Sequence, residues 1–215
     1  MTELKPLKFL IADDHEVVRQ GLKQLITDAF GKVIFGEAAN AADACARVWK
    51  ERWDLVILDI NMPGRNGLEV LGDLKKEKPR LPVLVLSMFS EAEYALRALK
   101  AGAAGYVSKQ SVSRELIDAS KKALAGGRYV TPALAEKLAA SLGREDVAWP
   151  HEALSDREFE VMKLIATGRA VKEIAAVLSL GEKTIFTYRT RLLEKLGVKG
   201  DVEVARYAIR HNLVE

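Results

Sequence analysis

The chain has 215 residues, 49% of them hydrophobic, and a formal net charge of +3. That is enough apolar material for one large or two small packed cores, and it excludes a disordered chain. No apolar stretch approaches the roughly 18 residues of a membrane span, the single Cys45 excludes an internal disulfide or a cysteine zinc cluster, and Met1 to Pro6 lack the apolar core of a signal peptide, so a cytoplasmic protein with no membrane partner is expected.

Residues 1–126 alternate strand-like and helix-like segments. Strand candidates are 7–12, 32–37, 54–59, 82–87 and 104–108, and helix-like stretches lie near 15–30, 41–52, 67–77, 91–101 and 112–126. This alternation predicts an α/β fold, a doubly wound parallel sheet with helices on both faces. Five strands fit the flavodoxin-like order 2-1-3-4-5, which makes strands 1, 3 and 4 neighbours. Gly126 and Gly127 end the fifth helix, and residues 127–150 read as a linker carrying one helix after Pro132.

Residues 151–215 carry no strand signal and read as an all-α four-helix domain. Ser155-Asp156-Arg157-Glu158 is a capping box, followed by an apolar face of Val161, Met162, Leu164 and Ile165 on a helix ending at Gly168. A short helix places Ile174, Ala175, Val177 and Leu178 on one side, and a turn at Ser179-Leu180-Gly181 leads into a longer helix, 182–197, with Ile185, Leu192, Leu193 and Leu196 inward. A last helix, 201–211, is expected to bury Val202, Ala205, Ala208 and Ile209, with Val202 and Ala205 equally candidates for a dimer contact. Two short helices joined by a tight turn, the second one basic, describe a helix-turn-helix.

Two apolar runs end in acid: Leu7 to Ala12 into Asp13-Asp14, and Leu55 to Leu58 into Asp59. In open parallel sheets the ligand crevice lies beyond the carboxyl ends of the strands. Three carboxylates meeting there repel one another unless a cation sits among them, and an all-oxygen site suits Mg²⁺, with Mn²⁺ as the alternative. Asp59, at the end of the middle strand, is the natural phosphoryl acceptor. Asp13, Asp14, Asp59 and the backbone carbonyl of Asn61 are the expected metal ligands. Lys109 would neutralise phosphoryl charge and the Ser87 hydroxyl would donate to a phosphoryl oxygen. His15 reads as a surface or capping residue.

The second constellation is the basic helix. The window Lys183 to Lys199 holds Lys183, Arg189, Arg191, Lys195 and Lys199 against only Glu194. Its polar side presents Lys183, Thr184, Phe186, Thr187, Thr190, Arg191 and Glu194. Cations bind phosphates and release counterions, and threonine or an exposed aromatic near the helix start can touch base edges or thymine methyls.

The residues carry a resemblance. Residues 1–126 resemble the receiver domain of bacterial two-component response regulators, through Asp13-Asp14, the run from Leu58 to Gly67, the Ser87 strand end, and the run from Ala101 to Lys109. Residues 154–161, 172–175, 182–185 and 192–198 resemble the LuxR-type helix-turn-helix. The whole chain is thus similar to response regulators of the NarL/FixJ class. The resemblance implies phosphoryl transfer from a sensor histidine kinase to Asp59, with Ser87 and Tyr106 moving in response. It also implies binding to a double-stranded DNA operator, with Lys183, Thr184, Tyr188 and Arg191 on phosphates and Phe186, Thr187 and Thr190 facing bases. A homodimer when active, occlusion of the recognition helix by the unphosphorylated receiver, and RNA polymerase as a further partner belong to the same expectation.

Three departures stand out. Gln110 replaces the proline that often follows the lysine, Ala170-Val171 replace a capping Ser/Thr and its partner, and Gly181 replaces a capping Ser. Phe89 joins Asn61 as a residue expected to set the phosphate lifetime. Two rivals remain. A protein-contact-only phosphorelay or phosphate-sink module has no use for a basic helix with an exposed Phe186. A metal-dependent phosphohydrolase needs an acid two residues after its nucleophile, where this chain has Asn61, so an enzyme with turnover is not expected.

Overall fold

The computed structural model describes residues 5–62, 65–88, 91–142, 149–211 and 213–214. Phe89, and Pro63 and Gly64 within the run from Leu58 to Gly67, lie outside the described residues. The chain divides into two compact units, Met1–Gly143 and Arg144–Glu215. Among the described residues no helix is long and apolar enough to cross a membrane.

The first unit is built on β1 (Leu7–Ala12), β2 (Val33–Ala38), β3 (Leu55–Asp59), β4 (Val83–Ser87) and β5 (Gly105–Ser108). All pairs are parallel and the order is β2-β1-β3-β4-β5, as the flavodoxin-like reading requires. Between and after the strands run α1 (Glu16–Phe30), α2 (Ala41–Lys50), α3 (Gly67–Glu77), α4 (Glu91–Lys100) and α5 (Val112–Leu124). The central strands β3 and β4 are buried at every residue, which is why they read as unbroken apolar runs rather than alternating ones. Phe9, Ile11, Leu55, Ile57, Leu84, Leu86 and Val107 face α1 and α5 in one core. Strand alternation therefore sends Val85 and Tyr106 to the opposite face, where α4 packs on β5.

Two glycines mark close approaches. A Cβ on Gly36 would overlap the Trp53 indole, whose Nε1 donates to the Arg47 carbonyl at 3.1 Å. A Cβ on Gly67 would lie 2.5 Å from the Asp59 carbonyl oxygen and 2.6 Å from Ile60 Cα. The start of α3 is thus pressed against the backbone that carries Asp59.

After α5 the chain forms one further helix, α6 (Pro132–Leu142), which packs against α4 inside the first unit. Residue 126 takes the left-handed conformation that ends α5, as its glycine suggested.

The second unit opens with a 3₁₀ turn (Pro150–Ala153), followed by α7 (Asp156–Ala166), α8 (Val171–Val177), α9 (Glu182–Leu196) and α10 (Asp201–Arg210). The capping box is present: Ser155 Oγ accepts from Glu158 N at 3.3 Å and Glu158 Oε2 accepts from Ser155 N at 2.8 Å. Val161, Met162, Leu164, Ile165, Ile174, Ile185, Leu192 and Leu196 are buried as read from their spacing, while Leu193 is half-buried.

Three apolar placements are corrected. Val177 is 50% exposed, Val202 75% and Ile209 60%. The core side of α10 is instead Val204 and Ala208, because the face that meets α7 is centred on that i, i+4 pair. Ala205 is half-buried.

Candidate functional site

The carboxyl ends of β1, β3, β4 and β5 bring Asp13, Asp59, Ser87 and Lys109 together. Lys109 Nζ lies 2.7 Å from Asp59 Oδ2 and 2.7 Å from Asp13 Oδ2. Asp13, Asp59 and Ser87 are buried. Backbone contacts fix each of them. Asp13 N donates to the Ala38 carbonyl at 3.0 Å, Ile60 N to the Leu86 carbonyl at 3.1 Å, and Lys109 N to the Ser87 carbonyl at 2.8 Å. Asp59 Oδ1 accepts from Asn61 N at 3.0 Å. Arg19 clamps the other side, donating to the Asp13 carbonyl at 2.8 Å and to Glu37 Oε2 at 2.9 Å.

Burial pushes the Asp59 carboxyl above the usual carboxylate range, against the pull of Lys109. For Lys109, burial disfavours the ammonium, but Asp59 and Asp13 outweigh it and hold the lysine above its ordinary value. One ammonium thus faces two buried carboxylates, with Asp14 beside them. That excess of negative charge out of water calls for a cation.

The donor set fits Mg²⁺. Ligand atoms of Asp13, Asp14, Asp59 and His15 lie within 4.8 Å of one another. Asp13 Oδ2 lies 2.7 Å from Lys109 Nζ and Asp14 Oδ1 lies 2.8 Å from His15 Nδ1, but neither buried oxygen has an aligned hydrogen-bond donor. His15 is 65% exposed in its side chain and offers nitrogen, which a hard ion does not choose. It occupies the N-cap of α1, where its backbone N donates to Asp13 Oδ1 at 2.8 Å.

Asn66 and Gly67 have parts that spacing alone did not assign. Buried Asn66 caps α3 by accepting from Leu68 N at 2.7 Å, and Gly67 N donates to the Ile60 carbonyl at 3.0 Å. Together they hold the turn after Asp59. The Gln110 departure has a visible effect: Gln110 N donates to Ser108 Oγ at 3.3 Å, which proline could not do.

In the second unit α8, a turn and α9 form the helix-turn-helix. Ser179 adopts φ 52° in the turn, and Leu180 N donates to the Ala175 carbonyl at 2.9 Å. At α8 only half of a capping box exists: Glu173 Oε2 accepts from Ala170 N at 2.8 Å, and alanine has nothing to return. Gly181 at the start of α9 likewise makes no side-chain cap. Lys183, Thr184, Phe186, Thr187, Thr190 and Arg191 are exposed along α9, and Tyr188 is half-buried. The Thr187 and Thr190 hydroxyls donate to the Lys183 and Phe186 carbonyls, each at 3.0 Å, which fixes both side chains on the exposed face. The basic window is smaller than its sequence suggests. Arg189 Nε donates to Asp201 Oδ1 at 2.8 Å, and Lys195 pairs with Glu158, so both serve the domain itself. Buried Arg157 and Glu160 pair at 2.9 Å inside α7, an ionic contact no periodicity announced.

Comparison with known proteins agrees with both halves. Residues 9–121 match the response regulator receiver domain family. Residues 152–208 match the bacterial regulatory proteins of the luxR family. The chain is 36% identical to the response regulator GacA of Pseudomonas aeruginosa, over 97% of this chain and 98% of that protein. It is 35% identical to the response regulator UvrY of Escherichia coli, over 96% and 95%. Among solved structures it resembles RcsB from Salmonella enterica serovar Typhimurium bound to a promoter in the presence of the phosphomimetic BeF3−, with TM-score 0.63, 28% identity, and coverage of 94% and 98%. The chain belongs to the DNA-binding response regulators of two-component systems, in the NarL/FixJ class, with a receiver domain followed by a LuxR-family helix-turn-helix.

Proposed function

We propose that Asp59 is the phosphoryl acceptor of this regulator and that a sensor histidine kinase is the donor. The observation that carries the reading is the buried Asp59–Lys109–Asp13 contact at 2.7 Å on each side. An Asp59 oxygen forms the bond to phosphorus as the phosphorus–nitrogen bond of the donor phosphohistidine breaks, its electron pair returning to the imidazole. Asp13, Asp14, Asp59 and the backbone carbonyl of Asn61 would hold Mg²⁺ or Mn²⁺, which when bound neutralises charge on the phosphoryl oxygens. Lys109 supplies the second positive charge, from a β5 that fixes its stem. Ser87 and Tyr106 sense the product. Asn61 can neither give nor take the proton that a turnover phosphatase needs, so the product is a signal rather than an intermediate.

The output is double-stranded DNA. Lys183, Thr184, Tyr188 and Arg191 grip backbone phosphates, and Phe186, Thr187 and Thr190 face the bases. The active form is a homodimer on half-sites about 10 bp apart, and RNA polymerase is its downstream contact. The functional division is a receiver over 1–126, a linker over 127–150 and a DNA-binding domain over 151–215, working in the cytoplasm. The test is incubation with acetyl phosphate and Mg²⁺. Wild type should acquire an alkali- and hydroxylamine-labile phosphoryl group, as expected of an acyl phosphate, and Asp59→Asn should not. Equal labelling of the two would refute the acceptor assignment.

A further inference from the structure

The segment after α5 stays on the first unit instead of leaving it. Tyr129 N donates to the Ala104 carbonyl at 2.7 Å, and Tyr129 bridges Gly105 in parallel, so the chain adds to the sheet beyond β5. Gly105 has no room for a side chain: a Cβ there would lie 2.9 Å from Tyr129 Cβ and 3.0 Å from Leu84 Cδ2. The Tyr129 ring packs against the core shared by α1 and α5. Thr131 Oγ1 accepts from Leu134 N at 3.2 Å at the start of α6. Leu134 is 2% exposed, and α6 packs on α4.

Both supports of this segment lead to Asp59. From Gly105 the strand β5 runs about 13 Å to Lys109, which is held by Asp59 and Asp13. From Ser87, at the end of β4, the chain passes into α4, and α4 rests on β5. A phosphoryl group on Asp59 would draw on the Lys109 ammonium and on a donor at Ser87. Those are the two points from which β5 and α4 hang. Packed elements answer such a pull by moving between discrete arrangements, not by bending.

We propose that Tyr129 and α6 report the state of Asp59: docked on the β5 edge and on α4 while Asp59 is unmodified, and released when it carries a phosphoryl group. The proposal rests on Asp59 being the acceptor. Release would lengthen the tether to the DNA-binding unit and uncover the α4–β5 face together. Linkage makes the coupling reciprocal, so undocking α6 by mutation must favour the phosphoryl-bound state by the same factor.

The experiment is hydrogen exchange on the full chain with Mg²⁺, with and without beryllofluoride as the phosphoryl mimic. Amides of residues 134–142 should exchange about fivefold or more faster with the mimic. Leu134→Asp should show that fast exchange without it and should bind beryllofluoride tighter by about the same factor. Peptides from α4 and β5 that respond while residues 128–142 do not would overturn the proposal, and so would wild-type beryllofluoride affinity in Leu134→Asp. No response anywhere, with no labelling by acetyl phosphate, would instead remove the acceptor assignment and this inference with it.

Discussion

Replacing Gly67 by alanine tests how Asp59 is positioned. The added methyl would sit 2.5 Å from the Asp59 carbonyl oxygen and 2.6 Å from Ile60 Cα. Both are backbone atoms of a buried strand end, so neither can swing aside as a flexible side chain would. Overpacking of this kind costs about 1–3 kcal/mol. The reduced freedom of the unfolded chain returns only about 0.4–1 kcal/mol. The expected result is a net loss of roughly 1–2 kcal/mol, or a fall of about 3–7 °C in the melting temperature of a unit this size. Gly72 supplies the control, since it lies in the same helix with no atom within 4 Å of an added Cβ. Gly72→Ala should raise stability by about 0.4–1 kcal/mol. Urea unfolding followed by far-ultraviolet circular dichroism measures both. Acetyl phosphate labelling should fall in Gly67→Ala, because the shift displaces the Asp59 backbone, and stay at wild type in Gly72→Ala. Changes of the same sign in stability for the two variants would refute the close approach as the reason for glycine at 67.

Two further outcomes are open to measurement. Arg191→Ala should weaken operator binding across sequences and reduce the slope of log affinity against log salt by about one. Arg189→Ala should leave that slope in place, because Asp201 already holds its guanidinium; equal loss of slope in both would refute the division of the basic window. Glu158→Gln separates charge from capping, since glutamine still completes the capping box. Burial opposes the Glu158 charge, but Lys195 and Ser155 outweigh it and hold the carboxyl below the usual range. The folded value therefore lies below the unfolded one. Its stabilisation is present above about pH 4.3 and is lost as the pH falls through the folded value. Glu158→Gln should flatten that acid limb in thermal melts between pH 3 and 6, at a cost near neutrality of about 1 kcal/mol or less given the half-exposed lysine. An unchanged acid limb would show that the Lys195 pair contributes nothing.

The sheet was legible because apolar runs ending in acids and helical stretches between them leave few topologies open. β1 and β3 begin and end within a residue of their expected bounds. The convergence of Asp13, Asp59, Ser87 and Lys109 was legible for the same reason, since strand ends share one edge of the sheet. What periodicity missed depended on partners from other elements. On α10 the apolar residues 202, 204, 205, 208 and 209 spread over almost half of the helix surface, a wider stripe than the contact needs, and only packing on α7 selects Val204 and Ala208. A count of cations along α9 cannot see that Asp201 and Glu158 neutralise Arg189 and Lys195. The need for glycine at 67 appears only when α3 is laid against the β3 backbone.

The Asp59–Lys109 pair spans 50 residues of sequence, and Asp13 joins it from the first strand. No local segment can assemble this site. It exists only once β1, β3 and β5 have all found their places, the kind of long-range pairing that forms late in folding. A chain in which any one of these strands is out of place lacks the contact on which the proposed acceptor role rests, so the capacity to be charged at Asp59 is a property of the completed sheet and of no smaller piece.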